Sequence, residues 1–198
     1  QVPYVTVSPG VIGNGRVVDP DGKEIPNARI KLILCFPNWR AGIDSDSSVI
    51  TDDEGYFEAK AIPAEYDYLF QANAEGYGKT RKEVHADEAV NGRLDVGTLV
   101  LKLANLTLTG VVVDAEDQPV AGANIYGYGD GQPDLGNYQT DEQGKFTLHV
   151  CEGKLNIQAD FVGTKPMRGN IETEGGVTDV KIVMKESNTR PLLFMSRQ

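Results

Sequence analysis

Gly15-Arg16-Val17-Val18-Asp19 is written a second time as Gly110-Val111-Val112-Val113-Asp114, and this echo decides the reading of the chain. After each copy a turn leads into Ala28-Arg29-Ile30 or Ala123-Asn124-Ile125. Further on, Thr51-Asp52-Asp53-Glu54-Gly55-Tyr56-Phe57 returns as Thr140-Asp141-Glu142-Gln143-Gly144-Lys145-Phe146. Both copies close on a short apolar run with a lysine, Leu99-Val100-Leu101-Lys102 and Ile182-Val183-Met184-Lys185. A repeat of roughly 90 residues sets two domains, each large enough for a small core of its own. Turn formers and core residues recur; no set of catalytic groups recurs with them.

Outward from these stretches the apolar period is two, the signal of half-buried strands. Ala28, Ile30, Leu32 and Leu34 share one face, with Arg29 and Lys31 on the other. Phe57, Ala59 and Ala61 form a stripe, as do Tyr68, Phe70, Ala72 and Ala74. In the second copy the stripes are Phe146, Leu148, Val150 and then Leu155, Ile157, Ala159, Phe161. Asp19-Pro20-Asp21-Gly22 is a reversal, with proline presetting φ and glycine accepting positive φ. Asp52–Gly55 and Asp141–Gly144 read as hairpin loops whose glycine takes the left-handed position. Many short strands with frequent turns predict an all-β sandwich in each copy. The stretch from Arg81 to Val90 is expected to be a loop or a single turn.

The predicted domains are 1–104 and 105–186, followed by a tail, 187–198. Leu99–Leu103 reads as the last strand of the first and Leu106–Val113 as the first strand of the second. Only Ala104 and Asn105 separate them, so a restricted mutual orientation is expected. The apolar Pro191-Leu192-Leu193-Phe194-Met195 of the tail is expected to dock on a domain or partner, a frayed end being the alternative.

The net charge of −10 makes nucleic acid an unlikely partner, because an acidic surface repels a phosphate backbone. No apolar run reaches the roughly 18 residues of a membrane-spanning helix, so no transmembrane segment is expected. A start at Gln1 fits a mature exported protein or a shortened chain. Cys35 and Cys151 fall in different copies and read as two separate thiols, since a disulfide requires a short Cα separation.

The ordered set Gly-x-Val-x-Asp, turn, Ala-x-Ile, Thr-Asp-x-x-Gly-x-Phe and Glu75-Gly76-Tyr77 resembles the carboxypeptidase regulatory-like domain, which is similar to transthyretin and to the C-terminal domain of metallocarboxypeptidase D. Gly15, Asp19, Ala28, Thr51, Asp52, Gly55, Phe57, Gly76 and Tyr77 carry the match in copy one. Gly110, Asp114, Pro119, Gly122, Ala123, Thr140, Asp141, Gly144 and Phe146 carry it in copy two. Copy two departs at Phe161-Val162-Gly163, where the Gly-Tyr pair is lost, and copy one has Asn27 where the family favours glycine. The resemblance implies two tandem seven-stranded Greek-key sandwiches without catalytic activity. It also implies an extracytoplasmic place (periplasmic, cell-surface or secreted) in a bacterial protein, with roles as spacer, accessory domain or contact site.

The intradiol dioxygenases share a similar sandwich opening but need two tyrosines and two closely spaced histidines on iron, and only His85 and His149 occur, one per copy. Neither a zinc-peptidase motif nor a Gly-x-Ser-x-Gly elbow is present. Asp19, Asp21, Asp52, Asp53 and Glu54 lack the spacing of a dedicated calcium loop and read as turn formers. Lys31 alternates out of the apolar stripe, which argues against the isopeptide bond of some pilin-type sandwiches. Neither cofactor nor metal is expected.

The candidate binding surface is aromatic. With Ala123, Ile125 and Gly127 inward, Tyr126 and Tyr128 share the outer face, Tyr138 lies on the following loop, and the glycines 127, 129 and 131 leave room for a ligand. In copy one the corresponding loop offers Phe36, Trp39 and Arg40 instead. Exposed rings suit stacking sugars and protein contacts alike, so a protein or glycan partner is open; packing against the neighbouring domain or shielding of a sheet edge is the plainer alternative. The expected function is a non-catalytic spacer or protein-contact region of an exported bacterial protein. The alternative is a carbohydrate-binding accessory module using the second domain's tyrosines.

Overall fold

The computed structural model describes residues 10–36, 39–42, 49–62, 66–163 and 165–187. The apolar tail segment 191–195 therefore lies outside the described residues. The chain divides into two compact units, Gln1–Leu103 and Ala104–Gln198.

Unit 1 contains β1 (Val11–Val18), β2 (Arg29–Phe36), β3 (Trp39–Gly42), β4 (Val49–Ile50), β5 (Tyr56–Ile62), β6 (Asp67–Asn73), β7 (Lys79–Val84) and β8 (Arg93–Val100). One sheet runs β5-β1-β8; the other runs β3-β2-β6-β7, and β4 also pairs with β2. Unit 2 contains β9 (Leu106–Val113), β10 (Asn124–Tyr128), β11 (Leu135–Gln139), β12 (Lys145–Val150), β13 (Lys154–Phe161), β14 (Met167–Glu174), β15 (Val180–Val183) and β16 (Lys185–Glu186). Its sheets are β12-β9-β15 and β11-β10-β13-β14-β16. The repeat is thus also topological: the first strand of each unit pairs antiparallel with one neighbour and parallel with the last long strand, β8 or β15. Among the described residues each unit shows eight strand segments, some of them short pieces beside the main strands. In unit 1 two short pieces, β3 and β4, share β2 as partner; in unit 2 the two-residue β16 extends the sheet beyond β14.

The alternating stripes fill the two cores. Ile30, Phe57, Tyr68, Phe70, Leu94 and Val96 are buried in unit 1; Ile125, Phe146, Leu148, Leu155, Ile157 and Ile182 are buried in unit 2. The glycine that opens each repeat has a packing reason. A Cβ at Gly15 would sit 2.7 Å from both the Phe57 ring and the Gly97 carbonyl oxygen. At Gly110 the same atom would sit 2.5 Å from the Phe146 ring and from the Val180 oxygen. Only glycine lets the first strand pass between a core ring and the neighbouring backbone.

The shared aspartates and threonines are the frame's polar fasteners. Asp19 Oδ1 accepts the N–H groups of Asp21 and Lys23, both at 2.9 Å, and Asp114 Oδ1 accepts those of Glu116 and Gln118 at 3.0 and 2.8 Å. Gly22 takes φ 82° in the first turn, and Asp117 takes φ 65° in the second. Asp52 and Asp141 repeat the arrangement before Gly55 and Gly144, which have φ 75° and 71°. The Thr51 hydroxyl, buried, donates to Ile25 O at 2.7 Å and accepts the Ala28 N–H at 2.8 Å. Thr140 does the same with Val120 O (2.7 Å) and Ala123 N–H (2.9 Å).

Three sequence expectations need correction. The Asp52–Gly55 and Asp141–Gly144 turns are tight, but they are not hairpins. Each carries the chain from one sheet to the other, from β4 to β5 and from β11 to β12. The stretch from Arg81 is a strand as far as Val84, paired along β6, before a 3-10 turn at Ala86–Glu88. Its strand character is masked because β7 is an edge whose Arg81, Lys82 and Glu83 are exposed, leaving Val84 as the buried apolar marker. Finally, β8 starts at Arg93 rather than Leu99; a register shift opposite Asn14 and Gly15 interrupts the alternation that would have revealed it.

Candidate functional site

In unit 2 the alternation of β10 puts Ile125 at zero exposure and turns Tyr126 and Tyr128 to solvent, 40% and 57% exposed. Both rings stand on the outer face of the five-stranded sheet. Register builds the surface around them. Tyr126 lies opposite Gln158, which lies opposite Asn170; Tyr128 lies opposite Asn156, which lies opposite Glu172. The next row is Asn124, Asp160 and Arg168. Two adjacent phenol rings therefore border a floor of amides.

Ion pairs close this floor at both ends. Arg168 Nε donates to Asp160 Oδ1 at 2.6 Å, and Gln158 Nε2 donates to Asp160 Oδ2 at 2.9 Å. The hydrogen bond and the charge of Asp160 push the already high pKa of Arg168 higher still. At the other end Lys154 Nζ is 3.9 Å from Glu172 Oε1. The centre, where Tyr126, Tyr128, Gln158 and Asn156 meet, is a flat aromatic and amide surface, suited to stacking and hydrogen bonding rather than to bond-breaking.

Tyr138 does not join this pair. It is exposed, but it lies on strand β11 rather than on a loop, directly opposite the inward-facing Ile125. Residues directly opposite across two strands share a face, so Tyr138 is on the other side of the sheet from Tyr126. A register shift between Ile125 and Gly127 lets β11 gain one residue, and that parity change is what the sequence did not reveal. In copy one, Phe36 ends β2 and pairs with Trp39 of β3, and Cys35 pairs with Arg40. Phe36, Trp39 and Arg40 thus belong to paired strands rather than to a loop; residues 37–38 and the side chains of Phe36, Trp39 and Arg40 lie outside the described residues.

His149 is exposed on β12 opposite Thr107. His85 Nδ1 lies 3.1 Å from Asp67 Oδ1, and that hydrogen bond, then the Asp67 charge, raises its pKa above the ordinary 6.5. Asp19 and Asp52 spend one carboxylate oxygen on turn N–H groups, the role expected of them. Lys31 is exposed on the outer face of β2. Sequence reasoning missed Thr51 and Thr140 as buried fasteners; their recurrence before each Asp was the available signal.

Two family models cover most of the chain: carboxypeptidase regulatory-like domain over residues 14–99, and CarboxypepD_reg-like domain over residues 108–190. The chain matches none of the curated proteins. Among solved structures it is similar to a streptococcal ancillary pilin, with 15% identity and a TM-score of 0.41 over 88% of this chain and 62% of that one. It is similar to the shaft pilin SpaA of Lactobacillus rhamnosus GG, with 15% identity and a TM-score of 0.35 over 94% of this chain and 100% of that one. A chlorocatechol 1,2-dioxygenase from Pseudomonas putida aligns with 51% of this chain and 70% of its own, at 14% identity and a TM-score of 0.34. No helix among the described residues is long and apolar enough to cross a membrane.

Proposed function

We propose that this chain, which consists of two tandem carboxypeptidase regulatory-like domains, is a non-catalytic spacer and protein-contact region of an exported bacterial protein. One observation carries the reading. The polar side chains that recur in both units are bonded to backbone: Asp19/Asp114 and Asp52/Asp141 to their own turns, and Thr51/Thr140 to the segments that precede Ile30 and Ile125. The recurring chemistry therefore builds the frame, and the frame presents open sheet faces whose residues differ between the copies. An open sheet face suits contacts with a partner of comparable size better than enclosure of a small substrate, which calls for a concave site.

A second reading rests on Tyr126 and Tyr128. Two exposed rings on one strand above a row of amides form a surface on which sugar rings stack while their hydroxyls meet Asn156 and Gln158. Tyr138, on the opposite side of the sheet, has no part in it. Affinity electrophoresis through gels containing xylan, mannan or glucan decides between the two. The protein-contact reading expects unchanged mobility of wild type in every gel. Retardation of wild type that disappears in Tyr126→Ala/Tyr128→Ala replaces it with the glycan reading.

A further inference from the structure

The outer face of the five-stranded sheet differs sharply between the units. In unit 1 Arg29, Asn73 and Lys79 form one cross-strand row, and Lys31, Gln71 and Arg81 form the next. Arg29, Lys31 and Arg81 are exposed and Lys79 is half-buried. Four cations thus share two adjacent rows of a chain whose net charge is −10. Arg81 Nε donates to Gln71 Oε1 at 2.8 Å, which sets the oxygen of that amide toward the guanidinium and its NH2 away from it. The row Lys31–Gln71–Arg81 therefore offers donors. Glu83 and Asp67 lie in the following rows, so the positive zone is bounded as well as concentrated.

We propose that this face docks an extended acidic segment of a protein partner; the inference names the partner's chemistry for the protein-contact reading and rests on it. The spacing favours a peptide. Arg29 and Lys31 are alternate residues of β2, and Lys79 and Arg81 alternate residues of β7, so each pair is separated by about 6.8 Å along its strand. Carboxylates at alternate positions of an extended peptide repeat at the same distance. With β6 between them, the two cationic columns stand about 10 Å apart. One segment lying along β6 would meet cations on both flanks and the Asn73 and Gln71 amides beneath. A polysaccharide spaces its acid groups by its sugar rings, not by a strand pleat. The salt dependence is steep, because surface charges lose each other beyond about 10 Å at 0.1 M salt and about 3 Å at 1 M.

The test uses the whole chain and a fluorescein-labelled peptide of alternating Glu and Thr. Fluorescence anisotropy at low salt is expected to show binding, and amide chemical-shift changes are expected along β2, β6 and β7. Arg29→Glu/Lys31→Glu is expected to weaken binding about tenfold, and Arg29→Gln/Lys31→Gln by less, without a reversed charge on the sheet. Lys145→Glu/Lys181→Glu makes the same change in net charge on the other sheet of unit 2 and is expected to weaken binding less than about twofold. Equal losses in the two charge-reversed pairs overturn the inference, as does absence of binding. So does tighter binding of sodium polygalacturonate to this face at equal carboxylate concentration. Peptide shifts confined to β10 and β13 also overturn it, while leaving the protein-contact reading standing.

Discussion

Replacing Thr140 with valine isolates the buried fastener of unit 2. The substitution nearly preserves shape and apolar volume but deletes the hydroxyl. That hydroxyl donates to Val120 O at 2.7 Å and accepts from Ala123 N–H at 2.9 Å. Ala123 and Val120 are buried, so neither backbone group gains ready access to water when its partner is removed. A buried polar group left unpaired costs about 1–3 kcal/mol, so Thr140→Val, which strands two, should destabilise unit 2 by roughly 2–6 kcal/mol. Against a domain stability of about 5–15 kcal/mol this is a large fraction. Thr140→Ser keeps both bonds and gives up one methyl group, a loss of about 1 kcal/mol. Native-state amide exchange read separately for β5 and β12 reports each unit in the intact chain. Unit 2 amides in Thr140→Val should exchange at least about thirtyfold faster, while those of β5 stay unchanged; Thr51→Val should give the mirror result. A valine variant no less stable than the serine variant would refute the assignment of these hydroxyls as structural fasteners.

Gly110→Ala drives a methyl to 2.5 Å from the Phe146 ring and from the Val180 oxygen, and is expected to cost about 3 kcal/mol in urea unfolding. Gly136→Ala meets nothing within 4 Å and should stay within about 0.5 kcal/mol of wild type. Asp141→Ala removes the acceptor for the N–H groups of Gln143 and Lys145 and is expected to cost about 1 kcal/mol, with Asp141→Asn recovering part of it. His85 is held above its ordinary 6.5 by Asp67, so its stabilising contribution is complete below the unfolded value and is lost as pH rises through the higher folded value. Proton NMR titration should show the raised His85 pKa in wild type and its return toward 6.5 in Asp67→Asn, together with loss of this pH dependence.

The parts of the fold that sequence made legible are those fixed by local pattern. Ile30, Phe70, Phe146 and Ile157 lie in the cores because alternation with polar neighbours has one physical solution in a sheet with a single wet face. The turn aspartates and left-handed glycines were legible because each acts within five residues of its own position. What stayed hidden depends on partners distant in sequence. The threonine at position 51 bonds Ile25, and the Asp52–Gly55 turn changes sheets, neither of which local spacing encodes. Tyr138 was misplaced for the same reason: a bulge between strands alters parity without altering composition. The edge strand β7 was obscured by charge, because an edge guarded by Arg81, Lys82 and Glu83 has the composition of a loop.

Duplication confines the candidate sites to the positions where the two copies differ. A core position is coupled to several others: changing Gly110 requires Phe146 and the backbone at Val180 to move together, so both copies keep the pair. An outer-face position has no such coupling. The equivalents Arg29 and Asn124, Lys31 and Tyr126, and Ile33 and Tyr128 occupy matching places beside buried Ile30 and Ile125, yet share no side-chain chemistry. Substitution at such places usually changes stability by less than about 0.5 kcal/mol, so they diverge without endangering the fold. The amide beneath persists, Gln71 in one unit and Gln158 in the other, while its hydrogen-bond partner changes from Arg81 to Asp160. In unit 1 that exchange leaves an amide NH2 among cations. In unit 2 it leaves an amide beside two phenols. One scaffold thereby presents two surfaces of different chemistry, the first cationic and the second aromatic.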